Sequence, residues 1–282
     1  MLRLGAMSTG QAPSVAEPLE PEAREFYCHT LRVLGAAGLP FLIGGAYAFS
    51  RYTGIERHTK DFDIFVRPEH FEAVLDALGQ AGYATDVPFP HWLGKAYHGE
   101  YFVDVIFGSG NGVARVDDAW FEYSVPDTVL DVPVRLCPPE EILWSKAFIQ
   151  ERERFDGADV AHLLRASGES LDWQRLVRRF GAHWRVLLAH LVLFGFIYPS
   201  ERNKVPGWVA RGLMQRLQAA DNLPPSPDRV CRGTLLSRQQ YLIDVEQWGY
   251  VDARTRPDNP MTDEEIAAWT AGIAVDGVPE TD

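Results

Sequence analysis

Two aspartates, Asp61 and Asp63, stand one residue apart in the apolar stretch Asp61-Phe-Asp-Ile-Phe-Val66. In a strand, residues i and i+2 share a face, so both carboxylates project side by side with Phe62 on the other side. Like charges that close repel, and a hard divalent cation bound by oxygens resolves the cost. On its own the pair would equally suit a strand edge whose acids face water. A third acid, Asp104, interrupts Tyr101-Phe-Val-Asp-Val-Ile-Phe107. A charge in so apolar a strand needs a partner, either the same cation or a single arginine. The remaining element is Gly44-Gly45, one helix ahead of Asp61. Glycines let the backbone approach a phosphate closely, and a helix N-terminus offers free N–H groups to an anion.

The elements that must hold these residues follow from the apolar pattern. Glu22 to Ala37 reads as an amphipathic helix through Phe26, Leu31, Val33 and Leu34, closed by Gly38 and Pro40. Phe41-Leu42-Ile43 is a short buried strand running into the glycine turn and a helix from Ala46 to Tyr52. Strands are expected at 62–66 and 101–107, with candidates at 91–98 and 129–136, and a helix from Pro68 to Gln80. Gly108-Ser-Gly-Asn-Gly112 is a loop. After Pro138-Pro139, helical periodicity runs from Glu140 to about Arg216, with breaks near Gly168, Gly181 and Pro199. Strands with helices followed by a run of helices describe an α+β fold with a helical C-terminal part. Four regions are expected: a flexible lead-in at 1–20, a core at 21–137, a helical domain at 138–250 and an acidic tail at 251–282, helical at most over 262–271.

The chain has 282 residues, is 46% hydrophobic and carries 8 Trp, enough for a sizeable core. Trp120, Trp144, Trp173, Trp184 and Trp208 read as packing residues. Three scattered cysteines (Cys28, Cys137, Cys231) exclude a disulfide framework. The N-terminus lacks the apolar stretch of a signal peptide. Val186 to Tyr198, interrupted by His190 and Gly195, is too short to span a bilayer. No membrane partner and a cytoplasmic, reducing location are therefore expected. The net charge of −12 is concentrated at the two ends. Residues 174–217 instead carry Arg175, Arg178, Arg179, Arg185, Arg202, Lys204, Arg211 and Arg216 against the single acid Glu201. That segment could meet RNA, although charge runs are more often a solvated helix face.

The glycine pair, the D-x-D strand and the later strand acid together resemble the nucleotidyltransferase superfamily, with its polymerase β-like fold. The match extends through Gly44-Gly45-Ala-Tyr-Ala-Phe-Ser-Arg-Tyr-Thr-Gly54 and Arg57-His-Thr-Lys60-Asp61-Phe-Asp63. It looks most like the small bacterial branch related to AbiEii-type toxins and to uncharacterised nucleotidyltransferases. The resemblance implies a mixed sheet flanked by helices, an NTP such as ATP as donor, and one or two Mg²⁺ ions held by Asp61, Asp63 and Asp104. It implies transfer of a nucleoside monophosphate to a hydroxyl of an acceptor: a small molecule, as in antibiotic modification, or RNA or protein, as in toxin–antitoxin systems. Gly44, Gly45, Arg57, Lys60 and Lys146 would contact the nucleotide, with Asp159 as a supporting acid for which Asp156 competes. Lys146 could otherwise be a surface lysine lying along apolar neighbours. Many members carry Ser or Thr directly after the glycine pair; Ala46 stands there, leaving phosphate binding to backbone amides and cations.

Competing constellations are weaker. His58, His91 and His98 surround the acids, but their spacing matches no zinc pattern. His183 and His190 lie seven apart on one helical face and read as packing or surface residues. There is no G-x-S-x-G, and the Gly108–Gly112 loop lacks the Lys-Ser/Thr of a P-loop. A binding protein that keeps the fold without turnover is the alternative.

Overall fold

The computed structural model describes residues 19–56, 61–257, 259 and 261–272. Helix α1 (Pro21–Ala36) starts on a proline at its first position and buries Phe26, Tyr27, Leu31 and Leu34. Strand β1 (Leu42–Ile43) enters helix α2 (Gly45–Thr53), which ends on Gly54 in the left-handed conformation. Strand β2 (Asp61–Phe65) leads through a single 3₁₀ turn at Pro68–His70 into helix α3 (Phe71–Gln80). Strands β3 (Ala84–Phe89), β4 (Leu93–His98) and β5 (Tyr101–Ile106) form a meander. The short helix α4 (Asp118–Glu122) precedes the hairpin β6 (Val125–Val129) and β7 (Val132–Leu136).

These seven strands make one mixed sheet in the order β3-β4-β5-β2-β1-β7-β6. β2 runs parallel to β5 and antiparallel to β1, and β1 runs parallel to β7. Alternation along β2 sends Phe62 and Ile64, both 0% exposed, to the face covered by α1, where Tyr27 stacks on Phe62 at 4.7 Å. The aspartates are left to the opposite face. The segment 129–136, expected as one strand, turns back on itself. Leu130 and Asp131 have φ of 51° and 65° and form a tight two-residue hairpin turn.

The helices that follow are α5 (Pro139–Ala147), α6 (Gly157–Ser167), α7 (Trp173–Phe180), α8 (Trp184–Ile197) and α9 (Gly207–Asp221). The breaks fall near Gly168, Gly181 and Pro199, as the sequence indicated. Residues 173–197 are long and apolar enough to cross a membrane by length and composition. They are interrupted at Gly181, with φ of +46°, and α8 buries Leu187, Leu188, Leu191 and Phe194 against its neighbours. Trp120, Trp144, Trp173 and Trp184 are buried, but Trp208 is 48% exposed on the first turn of α9, against expectation. Its neighbour on that helix, Val209, points inward instead.

The basic segment is not one free stripe. Arg175 is buried between Glu140 and Glu141, and Arg179 is bound to Glu141 and Asp117. These two arginines tie α7 to α5 and to the loop before α4, and they are not presented to an external polyanion.

After α9 the chain returns to the sheet. Strands β8 (Val230–Cys231) and β9 (Val251–Asp252) pair in parallel, with the short helix α10 (Leu242–Glu246) between them. Helix α11 (Asp263–Ala271) begins with a capping box from Thr262 and Glu265. Together these residues close over the ends of β4 and β5.

Candidate active site

Asp63 of β2 and Asp104 of β5 are register partners on adjacent parallel strands, and Asp61 pairs with Phe102 two positions away. All three acids therefore lie on one face, at one cavity of about 290 Å³. Gly45 lines the same cavity. The Gly44 N–H donates to the Asp63 carbonyl at 3.1 Å, which clamps the glycine turn onto β2. Gly45 has φ of +52°, and a Cβ there would lie 1.6 Å from Asp63 Oδ2. Glycine is needed at this position for conformation and for room alike. Gly45→Ala should cost about 1–2 kcal/mol from backbone strain alone and displace the Asp63 carboxylate. A thermal melt and nucleotide titration that left the variant indistinguishable from the parent would contradict this packing.

Burial pushes the Asp63 carboxyl up to about 7, and the negative charges of Asp104 and Asp61 add to the shift; Lys146 and Arg154 oppose it. Lys95, on β4 directly opposite Asp104, places its Nζ 2.8 Å from Asp104 Oδ1 and over the Phe102 ring at 3.9 Å. The strand acid thus meets a lysine across the ladder, where the sequence suggested a cation or an arginine.

Lys146, on α5, extends its Nζ to Asp156 Oδ2 at 2.8 Å and Asp159 Oδ2 at 2.7 Å. Both acids that competed for a supporting place hold the same lysine. Burial alone would raise Asp156, but hydrogen bonds from Arg154 and the charge of Lys146 outweigh it and hold its carboxyl below the usual range. Lys146 and Arg154 both line the cavity with the acids. Arg57 and Lys60 lie outside the described residues.

A divalent cation is what the resemblance implies, and the donor set agrees in kind. Three carboxylates supply only hard oxygen donors from one face, and Asp63, raised first by burial and then by the charges of Asp104 and Asp61, would be relieved of that repulsion by a dication. Among the described residues, no three His, Cys, Asp or Glu are already gathered into a cage. Lys95 on Asp104 supplies part of the positive charge in the structure as it stands.

Several residues of the site carried no signal of their own in the sequence. Lys95 is found only once the β4–β5 register is known. Trp92, Trp120, Glu151, Arg238 and Trp269 also line the cavity. They come from a turn, a short helix and a region distant in sequence, so no spacing ties them together.

The model of a family of uncharacterised nucleotidyltransferases matches residues 31–193. The chain belongs to that family. The match covers the glycine turn, all three acids and Lys146, and ends within α8. This nucleotidyltransferase is also similar to several solved structures. The antibiotic-resistance factor ANT(2'')-Ia is 13% identical over 72% of this chain and 97% of its own, with a TM-score of 0.41. The lincosamide antibiotic adenylyltransferase LnuA is 18% identical over 50% of this chain and 95% of its own, with a TM-score of 0.36. A nucleotidyltransferase-like protein of Paracoccidioides brasiliensis is 15% identical over 60% and 91%, with a TM-score of 0.37. Likenesses at this level bear on neither substrate nor mechanism. No curated protein matches the sequence.

Proposed function

We propose that this nucleotidyltransferase moves a nucleoside monophosphate from an NTP, such as ATP, to a hydroxyl of a small acceptor molecule. The observation that carries the reading is the register of Asp63 with Asp104 beside a glycine turn that only glycine can make. Asp61, Asp63 and Asp104 would hold one or two Mg²⁺ ions, which supply Lewis-acid polarisation of the phosphoryl oxygens and neutralise developing charge.

The chain's own groups then have distinct tasks. The N–H groups at the start of α2 face an anion across the glycine turn. Lys146, held between Asp156 and Asp159, and Arg154 bring positive charge to the acid-lined cavity and would meet the triphosphate. The acceptor oxygen attacks the α-phosphorus as its bond to the departing pyrophosphate oxygen breaks, and Asp104 takes the acceptor proton. A cavity of about 290 Å³ suits a small acceptor better than RNA or protein, and the burial of Arg175 and the ion pairs of Arg179 with Asp117 and Glu141 take two residues from the basic segment that would bind RNA.

A second reading rests on Lys95. An ion pair on the third acid is also what a non-catalytic, nucleotide-binding member would keep. Transfer of label from each α-³²P NTP with Mg²⁺ separates the two. Label on a small acceptor, absent in Asp104→Asn, is expected. Nucleotide binding with no transfer and no response to Mg²⁺ would support the binding protein.

A further inference from the structure

Residues 234–238 and Trp269 lie beyond the family match, yet they form one wall of the acid-lined cavity. Thr234, Leu235, Leu236, Ser237, Arg238 and Trp269 all face it. Their seat is the glycine-rich loop after β5. A Cβ on Gly110 would lie 2.4 Å from the Trp269 ring, and one on Gly112 would lie 2.3 Å from Asn259 Oδ1. Asn111 Nδ2 donates to the Leu235 carbonyl at 2.6 Å, and Asn259 Nδ2 donates to the Asn111 carbonyl at 2.7 Å. Gly110 and Gly112 are therefore explained by what packs on them, with no phosphate required.

Trp269 meets Trp92 edge-on at 5.4 Å and Phe89 at 5.7 Å, and Arg238 lies over its ring at 4.4 Å. Arg238 is itself fixed by Glu151 at 3.1 Å. Across the sheet the glycine turn, the β2 acids and Asp104 follow one another. The loop and Trp92 lie past Asp104, at the ends of β5 and β4. This is the side away from the glycine turn, and so the side from which an acceptor hydroxyl would reach Asp104. The indoles of Trp92 and Trp120 line the same cavity.

We infer that the acceptor is a small, aryl-bearing molecule with a free hydroxyl, seated against Trp92, Trp120 and Trp269. The inference rests on the nucleotidyl-transfer reading for its orientation, but it is testable without turnover. The probe is p-nitrophenyl β-glucoside, with kanamycin as a polycation and a short RNA hairpin as a polyanion. Saturation-transfer NMR on the full chain should show the aryl ring bound and kanamycin and RNA not bound. Trp269→Ala should weaken the aryl probe by about tenfold, with Mg²⁺–ATP affinity changed less than about twofold. Trp269→Phe, which keeps an aromatic wall if the alanine variant folds poorly, should retain most of the binding. Absence of aryl binding, or kanamycin or RNA binding in its place, would overturn the inference even with nucleotide binding intact. So would a Trp269→Ala variant that loses ATP affinity instead. Failure of the parent protein to bind Mg²⁺–ATP while it still binds the aryl probe would overturn the transfer reading and leave the aryl site standing.

Discussion

Asp63→Asn should abolish nucleotidyl transfer by about a thousandfold or more and yet raise the stability of the metal-free protein. Burial and the charges of Asp104 and Asp61 push the Asp63 carboxyl up to about 7, from an ordinary value of 3.8. The native state therefore keeps a proton that the unfolded chain releases at lower pH. This group's contribution is fully present below about pH 4 and is lost as pH rises toward 7. The loss amounts to at most about 4 kcal/mol, from roughly three units of pKa. Asparagine is nearly isosteric and carries no charge to bury. The metal-free melting temperature of the parent should then fall between pH 4 and 7 more steeply than that of Asp63→Asn, which should be the more stable protein at pH 8. Excess Mg²⁺ with NTP should restore the parent at pH 8 and do little for the variant. Parallel pH profiles for the two proteins, or a variant that keeps its transfer rate, would refute the assignment of Asp63.

The second large effect concerns stability alone. Glu141 is 0% exposed and Glu140 4% exposed, and Arg175 reaches both with bonds of 2.5 Å. Arg179 adds a 3.0 Å bond to Glu141 and a two-pronged contact to Asp117. Burial already holds the Glu141 carboxyl above its usual range despite these partners. Arg175→Met removes the cation and leaves two buried carboxylates facing each other, a loss of about 3–5 kcal/mol. For a chain of this size that corresponds to a fall in melting temperature of roughly 6–15 °C. Replacing all three residues together, as Glu140→Gln, Glu141→Leu and Arg175→Met, should recover much of the loss, because no charge is then stranded. A single variant that melts within a degree or two of the parent would show that the network is not buried as described.

The placement of the acids was readable from the sequence wherever period and charge coincided. Alternation in Asp61-Phe-Asp-Ile-Phe fixed which side chains share a face, and the isolation of Asp104 among apolar residues marked it before any register was known. Gly44-Gly45 needed only its place between a strand and a helix. Other parts depend on long-range pairing, which sequence spacing does not encode. Lys95 and Asp104 meet because β4 turns back on β5. Lys146 holds both Asp156 and Asp159 through the packing of α5 on α6, a juxtaposition that spacing does not show. The segment 129–136 looked continuous because Leu130 and Asp131 are ordinary residues in a turn that favours Gly or Asn. Trp208 resembled its buried counterparts in type and differs only in where α9 presents it.

The wall of the cavity is joined to the rest by bonds between partners far apart along the chain, Asn111 to Leu235 and Asn111 to Asn259. Contacts of such long separation bear a large loop-closure entropy and form late. The ladders among the sheet strands, by contrast, do not depend on them. The wall is thus expected to assemble late and to open early, which faster amide exchange at 234–238 than in β2 and β5 would show. Its detachment would be a local opening within an otherwise folded protein. Such an opening would set a bulky product free into solvent while the acids and the glycine turn stay in register for the next donor.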